Sequence, residues 1–134
     1  MFKDACVEGN IQELRRLIDS GENVNQTFWR GRTPLMVATR HGHLDCVQFL
    51  IQSGARVNAQ ETTGETALLW AARRRNIELV KLLLANGANV SSATEDGQRV
   101  LQEAARVKHS GIVQVLLDSG ADASGSDGGS ALLQ

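Results

Sequence analysis

The chain has one proline (Pro34), no tyrosine and an aromatic content of only 4% over 134 residues. With proline so scarce, turns must be made by other residues. Only two cysteines occur, Cys6 and Cys46, too few for a disulfide scaffold or a zinc site, and both sit among apolar neighbours. A reducing compartment, cytoplasmic or nuclear, is the expectation. Neither charge sign dominates: fourteen Lys and Arg face fifteen Asp and Glu, for a net charge of -1. That balance disfavours nucleic-acid binding by a globally basic chain. No run approaches the length of a membrane span, and Met1 to Cys6 has no apolar signal core, so neither spanning nor secretion is expected. No GxxxxGK[ST], GxGxxG or GxSxG motif is present, which removes the commonest phosphate-cradling and serine-nucleophile signatures.

What the chain does have is glycine, thirteen residues of it, and a period. Gly21, Gly54, Gly87 and Gly120 are 33 residues apart, as are Gly31, Gly64 and Gly97, and again Gly9 and Gly42. A fixed period of this size is the mark of a stacked repeat. Apolar residues keep the same register. Ala5, Ala38, Ala71 and Ala104 form one column, and Leu14, Val47, Val80 and Val113 another. Leu17, Leu50, Leu83 and Leu116 form a third, beside Ile18, Ile51, Leu84 and Leu117. Leu14, Leu17 and Ile18 show the i, i+3, i+4 spacing of an amphipathic helix. The alanine column lets two helices approach closely, and the bulky columns fill the space between units. No unit could bury such a stripe alone, so the units must stack.

Each unit carries its own punctuation. In Gly31-Arg32-Thr33-Pro34-Leu35 the glycine permits a tight turn, Thr33 can cap a helix, and Pro34 suits the first helical position. Gly64-Glu65-Thr66-Ala67-Leu68 repeats that start without proline. Gly42 suits a left-handed helix end, and a second helix follows from Leu44 to Gln52. The stretch from Ala55 to Gln60 has no helical period. Each unit therefore reads as helix, turn, helix and extended loop.

These residues resemble the ankyrin repeat. Thr33-Pro34-Leu35-Met36-Val37-Ala38 is similar to the family's T-P-L-H-x-A signature, with Met36 in place of histidine, and Gly42-His43-Leu44 to its G-H-L step. Leu50 to Asn58 resembles its helix end and following loop. The fold implied is an all-α repeat solenoid of helix-turn-helix units joined by β-hairpin-like loops. The expected divisions are a partial first repeat at 1–27, repeats at 28–60, 61–93 and 94–126, and a broken further start or tail at 127–134. Phe2 stands in the column of Leu35 and Leu68. Arg75 and Lys108 stand where Gly9 and Gly42 occur, costing about 1 kcal/mol each if the backbone is left-handed there. Arg99-Val100 replaces the Thr-Pro start, so the fourth unit is expected to lose its cap hydroxyl and, with the tail, to be the least stable part.

The resemblance implies a protein-interaction module or scaffold whose concave groove is lined by the loop fingers and first helices. Carried over, the exposed finger positions are Trp29, Arg30 and Arg32; Thr62, Thr63 and Glu65; and Glu95, Asp96 and Gln98. The groove-facing helix ends are Arg40 and His41, Arg73 and Arg74, and Arg106 and Val107. Trp70 and Glu103 sit one turn earlier, facing the groove or tucked beneath it. Arg40, Arg73, Arg74, Arg75, Arg106 and Lys108 then make a basic ladder, while the fingers turn acidic toward Glu95 and Asp96. Trp and Arg are favoured interface anchors. The expected ligand is another protein or a linear peptide with acidic residues opposite the ladder and aromatic or aliphatic anchors near Trp29 and Trp70. The alternatives are nucleic-acid or phosphoinositide contact through the ladder, and a purely architectural segment of a larger scaffold. The other reading is that Trp70 is core between helices and the arginines form a solvated face. No catalytic, metal or cofactor site is assigned and no small-molecule substrate or membrane contact is expected; the chain reads as a monomeric module of a longer protein. His43 and His109 share a column with Asn10 and Asn76, which suits hydrogen bonding in the loop. Cys46 shares one with Leu79 and Ile112, which suits a core thiol. In the resembled family, asparagines placed like Asn25 and Asn58 can be hydroxylated by an oxygen-dependent asparaginyl hydroxylase; the other reading is hydrogen bonding within the loop.

Overall fold

The computed structural model describes residues 2–90 and 95–119, with the backbone alone described for 95–98. Among these residues are eight α-helices and no strand: α1 (Phe2–Glu8), α2 (Ile11–Asp19), α3 (Pro34–Arg40), α4 (Leu44–Gln52), α5 (Ala67–Arg73), α6 (Ile77–Ala85), α7 (Glu95–Arg106) and α8 (Ser110–Asp118). Successive helices pack as pairs, and each pair stacks on the next, first helix on first helix and second on second. The first-helix row, α1, α3, α5 and α7, packs more closely than the second row. Its alanine column explains this. Ala5, Ala38, Ala71 and Ala104 are buried and carry nothing beyond Cβ to hold neighbouring helices apart. Leu17, Leu50, Leu83 and Leu116 are buried in the second row and join the same core.

Local chemistry sets the helix lengths. Thr33 Oγ1 accepts from the Met36 amide and Thr66 Oγ1 from the Leu69 amide, both at 3.3 Å, so α3 and α5 start with satisfied caps. The first helices end on a left-handed residue. It is glycine at Gly9 and Gly42 but Arg75 (φ 57°) and Lys108 (φ 59°) in the later units. The amide after each of these residues donates to the alanine column: Asn10 to Ala5, His43 to Ala38, Asn76 to Ala71 and His109 to Ala104. Gly9 has a second reason to be glycine: a Cβ there would lie 2.5 Å from the His43 ring.

Two loops form hairpin-like fingers. Phe28 N–H donates to Arg32 O at 2.7 Å, and one unit later Glu61 N–H donates to Glu65 O at 2.9 Å. The fingers are joined by Thr62 N–H donating to Arg30 O at 3.0 Å.

The fourth unit departs from the expected pattern. Glu95, Asp96 and Gln98 lie along the backbone of α7 rather than in a finger, and Arg99 lies inside that helix rather than capping it. α7 has twelve residues, where α3 and α5 have seven. The cause is visible in sequence. Pro34 disfavours helix before it, and Thr66 offers a cap oxygen, but Arg99-Val100 supplies neither stop. The expected tail at 127–134 lies outside the described residues.

Candidate partner-binding face

Trp29 and Arg30 lie in the finger at 28–32, held by its backbone bonds. Trp29 is 69% exposed, the largest exposure of any large apolar side chain among the described residues. Guanidinium groups lie over its ring, Arg30 at 5.0 Å and Arg32 at 5.8 Å from the centroid. Arg30 is itself left-handed, with φ 65°, which lets the finger turn tightly. Thr62 and Thr63 are exposed at the next finger, as expected. Arg32 and Glu65 were expected to be exposed as well, but both are half-buried because each is drawn into an ion pair.

Trp70 lies at the centre of this face. Its half-buried indole N–H donates to Glu61 at 2.5 Å, while Glu61 accepts from Arg32 Nε at 3.3 Å. Arg32, Arg40 and Arg73 all approach the Trp70 ring, at 5.8, 5.1 and 5.2 Å from its centroid. Trp70 is thus a platform for three arginines, each adding about 0.5–1 kcal/mol or more as desolvation increases. Glu61, 5% exposed, was not singled out from sequence. The available signal was a carboxylate in the column of Phe28, nine residues before a tryptophan.

The arginine ladder is divided by the acids beside it. Arg73 pairs with Glu103 at 3.2 Å and with Glu65 at 3.9 Å. Arg99 reaches the same Glu65 at 3.7 Å and donates to Thr63 O at 3.3 Å, and Arg106 hydrogen-bonds Glu103. Thr63 donates to Glu65, and this bond contributes most to holding the Glu65 carboxyl below its ordinary 4.5; burial opposes it, and the Arg99 and Arg73 charges assist. Burial pushes Glu103 up, but Arg106 and Arg73 outweigh it and hold the group below 4.5. Arg40 differs: among the described residues it makes no ion pair, and its contact is the Trp70 ring. Arg74, Arg75 and Lys108 are exposed at the helix ends, and Val107 is half-buried. His41 is exposed beside Arg40; burial first, then the charges of Arg40, His43 and Arg74, hold it below its ordinary 6.5.

Two clefts open on this face, one beside the finger at 28–32 and one between α5 and α7. The first, about 230 Å³, has Val7, Phe28 and Val37 as apolar lining, Trp29 as a wall, and Lys3, Arg32, Arg40 and His41 at its polar edge. The second, about 190 Å³, lies over Leu69 and Gln102 and is lined by Arg73, Arg99 and Arg106 together with Glu103. Lys3, Phe28 and Val37 join the face through stacking of units, which a reading confined to signature positions passes over.

The remaining polar residues are accounted for locally. Asn25 Nδ2 donates to Gly54 O at 3.1 Å and its Oδ1 accepts from Arg56 N at 2.8 Å. Asn58 repeats this one unit later, with Gly87 O at 2.9 Å and Asn89 N at 2.6 Å. Both amides therefore staple successive loops together. Asn10, Asn76 and His109 cap α2, α6 and α8 through the amides of Glu13, Leu79 and Ile112. His43 instead donates its Nε2–H to Val7 O at 2.8 Å, and Asp45 accepts from the Cys46 amide that His43 would have capped. Cys6 and Cys46 are buried free thiols, with burial the main cause of pKa values pushed up to about 12 and about 11. Neither is a ready nucleophile. Among the described residues no cluster of three or more His, Cys, Asp or Glu is placed to hold a metal ion, and no helix is long and apolar enough to cross a membrane.

The family model described as ankyrin repeats (three copies) matches residues 3–61 and 53–127. The chain belongs to the ankyrin-repeat family. Repeats of this kind are in general protein-protein interaction modules, and the family is typically non-enzymatic. A mouse protein named ankyrin repeat, SAM and basic leucine zipper domain-containing protein 1 is 42% identical over 48 residues. That match covers 36% of this ankyrin-repeat chain and about a tenth of the mouse protein's length.

Proposed function

We propose that this chain is a non-enzymatic interaction module that holds a partner protein or linear peptide in the groove between its fingers and first helices. The observation that carries this reading is Trp29. A tryptophan 69% exposed, flanked by arginines on the face that also holds Trp70, is costly to leave in water and suited to an interface. The partner carries acidic residues for the arginines and aromatic or aliphatic residues for Trp29 and the rim of Trp70. The buried free thiols fit a reducing, cytoplasmic or nuclear setting. The mouse relative's name joins its repeat to other domains, which supports reading this chain as a module of a longer polypeptide.

Peptide display against the immobilised chain tests the proposal. Selected sequences should be rich in Asp and Glu with interspersed apolar residues, and Trp29→Ala combined with Arg40→Glu should abolish their capture while the helical circular dichroism is kept. Selection of no peptide, or capture indifferent to the double variant, contradicts the reading. A steep log–log dependence of affinity on salt would instead favour phosphate contact through the arginines. Pairing of Arg73 and Arg106 with Glu65 and Glu103 leaves fewer cations for such a contact than the ladder suggests.

A further inference from the structure

The two clefts along the groove differ in kind, and the difference selects the ligand. The second cleft carries its own counterions: Arg73, Arg99 and Arg106 are already engaged by Glu65 and Glu103. A carboxylate arriving there must displace an existing partner. In the first cleft Glu61 answers Arg32 alone, and among the described residues neither Lys3 nor Arg40 makes an ion pair. Two cations therefore border an apolar hollow without a carboxylate of their own.

The hollow has its own preference. Val7, Phe28, Val37 and the Trp29 ring offer no hydrogen-bonding side-chain group except the Trp29 indole N–H. Its volume of about 230 Å³ is several times the roughly 30 Å³ a water molecule occupies in the liquid, so an apolar side chain can enter and release ordered water. Arg40 is held with its guanidinium 5.1 Å from the Trp70 centroid. Stacking of this kind restrains the side chain while its N–H edge stays available to a carboxylate fork.

Resting on the interaction-module reading above, we infer that the cleft between the first two repeats is the primary recognition pocket of the groove. It takes one aliphatic or aromatic side chain of a linear acidic peptide. A carboxylate one or two residues away on that peptide meets Arg40 and Lys3. The neutralised cleft over Arg73 and Arg106 contributes contact area and no acid selectivity.

The test is an array of short synthetic peptides with the same glutamates and one leucine in a Gly-Ser background. The leucine adjoins a glutamate in one set and is separated from all glutamates by a long spacer in the other. Affinities for the whole chain are read by the change in tryptophan fluorescence and by calorimetry. The adjoining set should bind at least tenfold more tightly than the separated set. Trp29→Ala and Arg40→Gln should each abolish most of that preference, and Arg106→Gln should change affinity less than twofold. Arg40→Lys, which keeps the charge and loses the fork, should fall between wild type and Arg40→Gln; unchanged unfolding midpoints exclude misfolding as the cause. Arg106→Gln weakening binding as much as Arg40→Gln moves recognition to the second cleft, overturning this inference and leaving the interaction-module reading intact. Equal binding of both peptide sets, or full competition by inositol hexakisphosphate, reduces recognition to charge and overturns it as well. Failure of the adjoining set to bind the wild type also overturns it, and the interaction-module reading then falls only if display against the groove fails too.

Discussion

Glu61 ties the face together at the scale of single residues. It is buried, and its two oxygens separately accept from Arg32 and from the Trp70 indole. Glu61→Ala strands both donors and should cost about 1–3 kcal/mol, read as a lower urea midpoint at unchanged slope. A loss below about 0.5 kcal/mol would mean that water replaces the carboxylate freely. Trp29→Ala, by contrast, removes a mostly exposed ring and should leave stability nearly unchanged while weakening binding. His41 gives the pH dependence a definite sign. Its folded pKa lies below the ordinary 6.5, so the unfolded chain takes up the proton first as pH falls. The stability associated with neutral His41 is complete above 6.5 and is lost as pH drops through the folded value. Urea midpoints at pH about 7.5 and about 5.5 should therefore differ less in His41→Asn than in wild type, and an equal difference would remove His41 from the account.

Helix ends are the element-scale variable. His109 accepts from the Ile112 amide through Nδ1, as Asn10 and Asn76 in the same column accept from the Glu13 and Leu79 amides through their side-chain oxygens. His109→Ala should cost about 1 kcal/mol, and His109→Asn should restore most of it. The same substitutions at His43 act differently, because its ring bridges to Val7 rather than capping α4. Arg75→Gly and Lys108→Gly relieve left-handed backbones and should each stabilise by up to about 1 kcal/mol, offset in part by the greater freedom glycine gives the unfolded chain. Thermal denaturation checks both, and destabilisation by either would show that a side-chain contact outweighs the strain. These ends were legible in the sequence because each repeats in register. The start of α7 was not. Recurrence places a finger at 95–98, whereas a helix lacking both proline and a cap oxygen at its expected start runs on until something stops it.

Across the whole molecule, the 33-residue period made the stacked architecture and the alanine seam readable from the sequence, and the resemblance to the ankyrin repeat placed Trp29 at an exposed finger. The state of the charges was not readable in the same way. Columns report which residues share a face, and they are silent on which carboxylate of the next unit reaches which guanidinium. Arg40, Arg73 and Arg106 share one column, yet Arg40 rests on an aromatic ring while the other two are neutralised by Glu65 and Glu103. Near-neutral overall charge thus hides an uneven groove, with spare cations beside the apolar cleft of the first two units.

Amide and indole chemical-shift mapping during titration with a display-selected acidic peptide tests most directly that this groove is the partner surface. The account predicts that the Trp29 and Trp70 indole signals and the amides of 28–32 and 37–41 shift together, while Gln48 on α4 and Lys81 on α6 stay in place. Shifts confined to the second-helix row, with both indole signals unmoved, would contradict it.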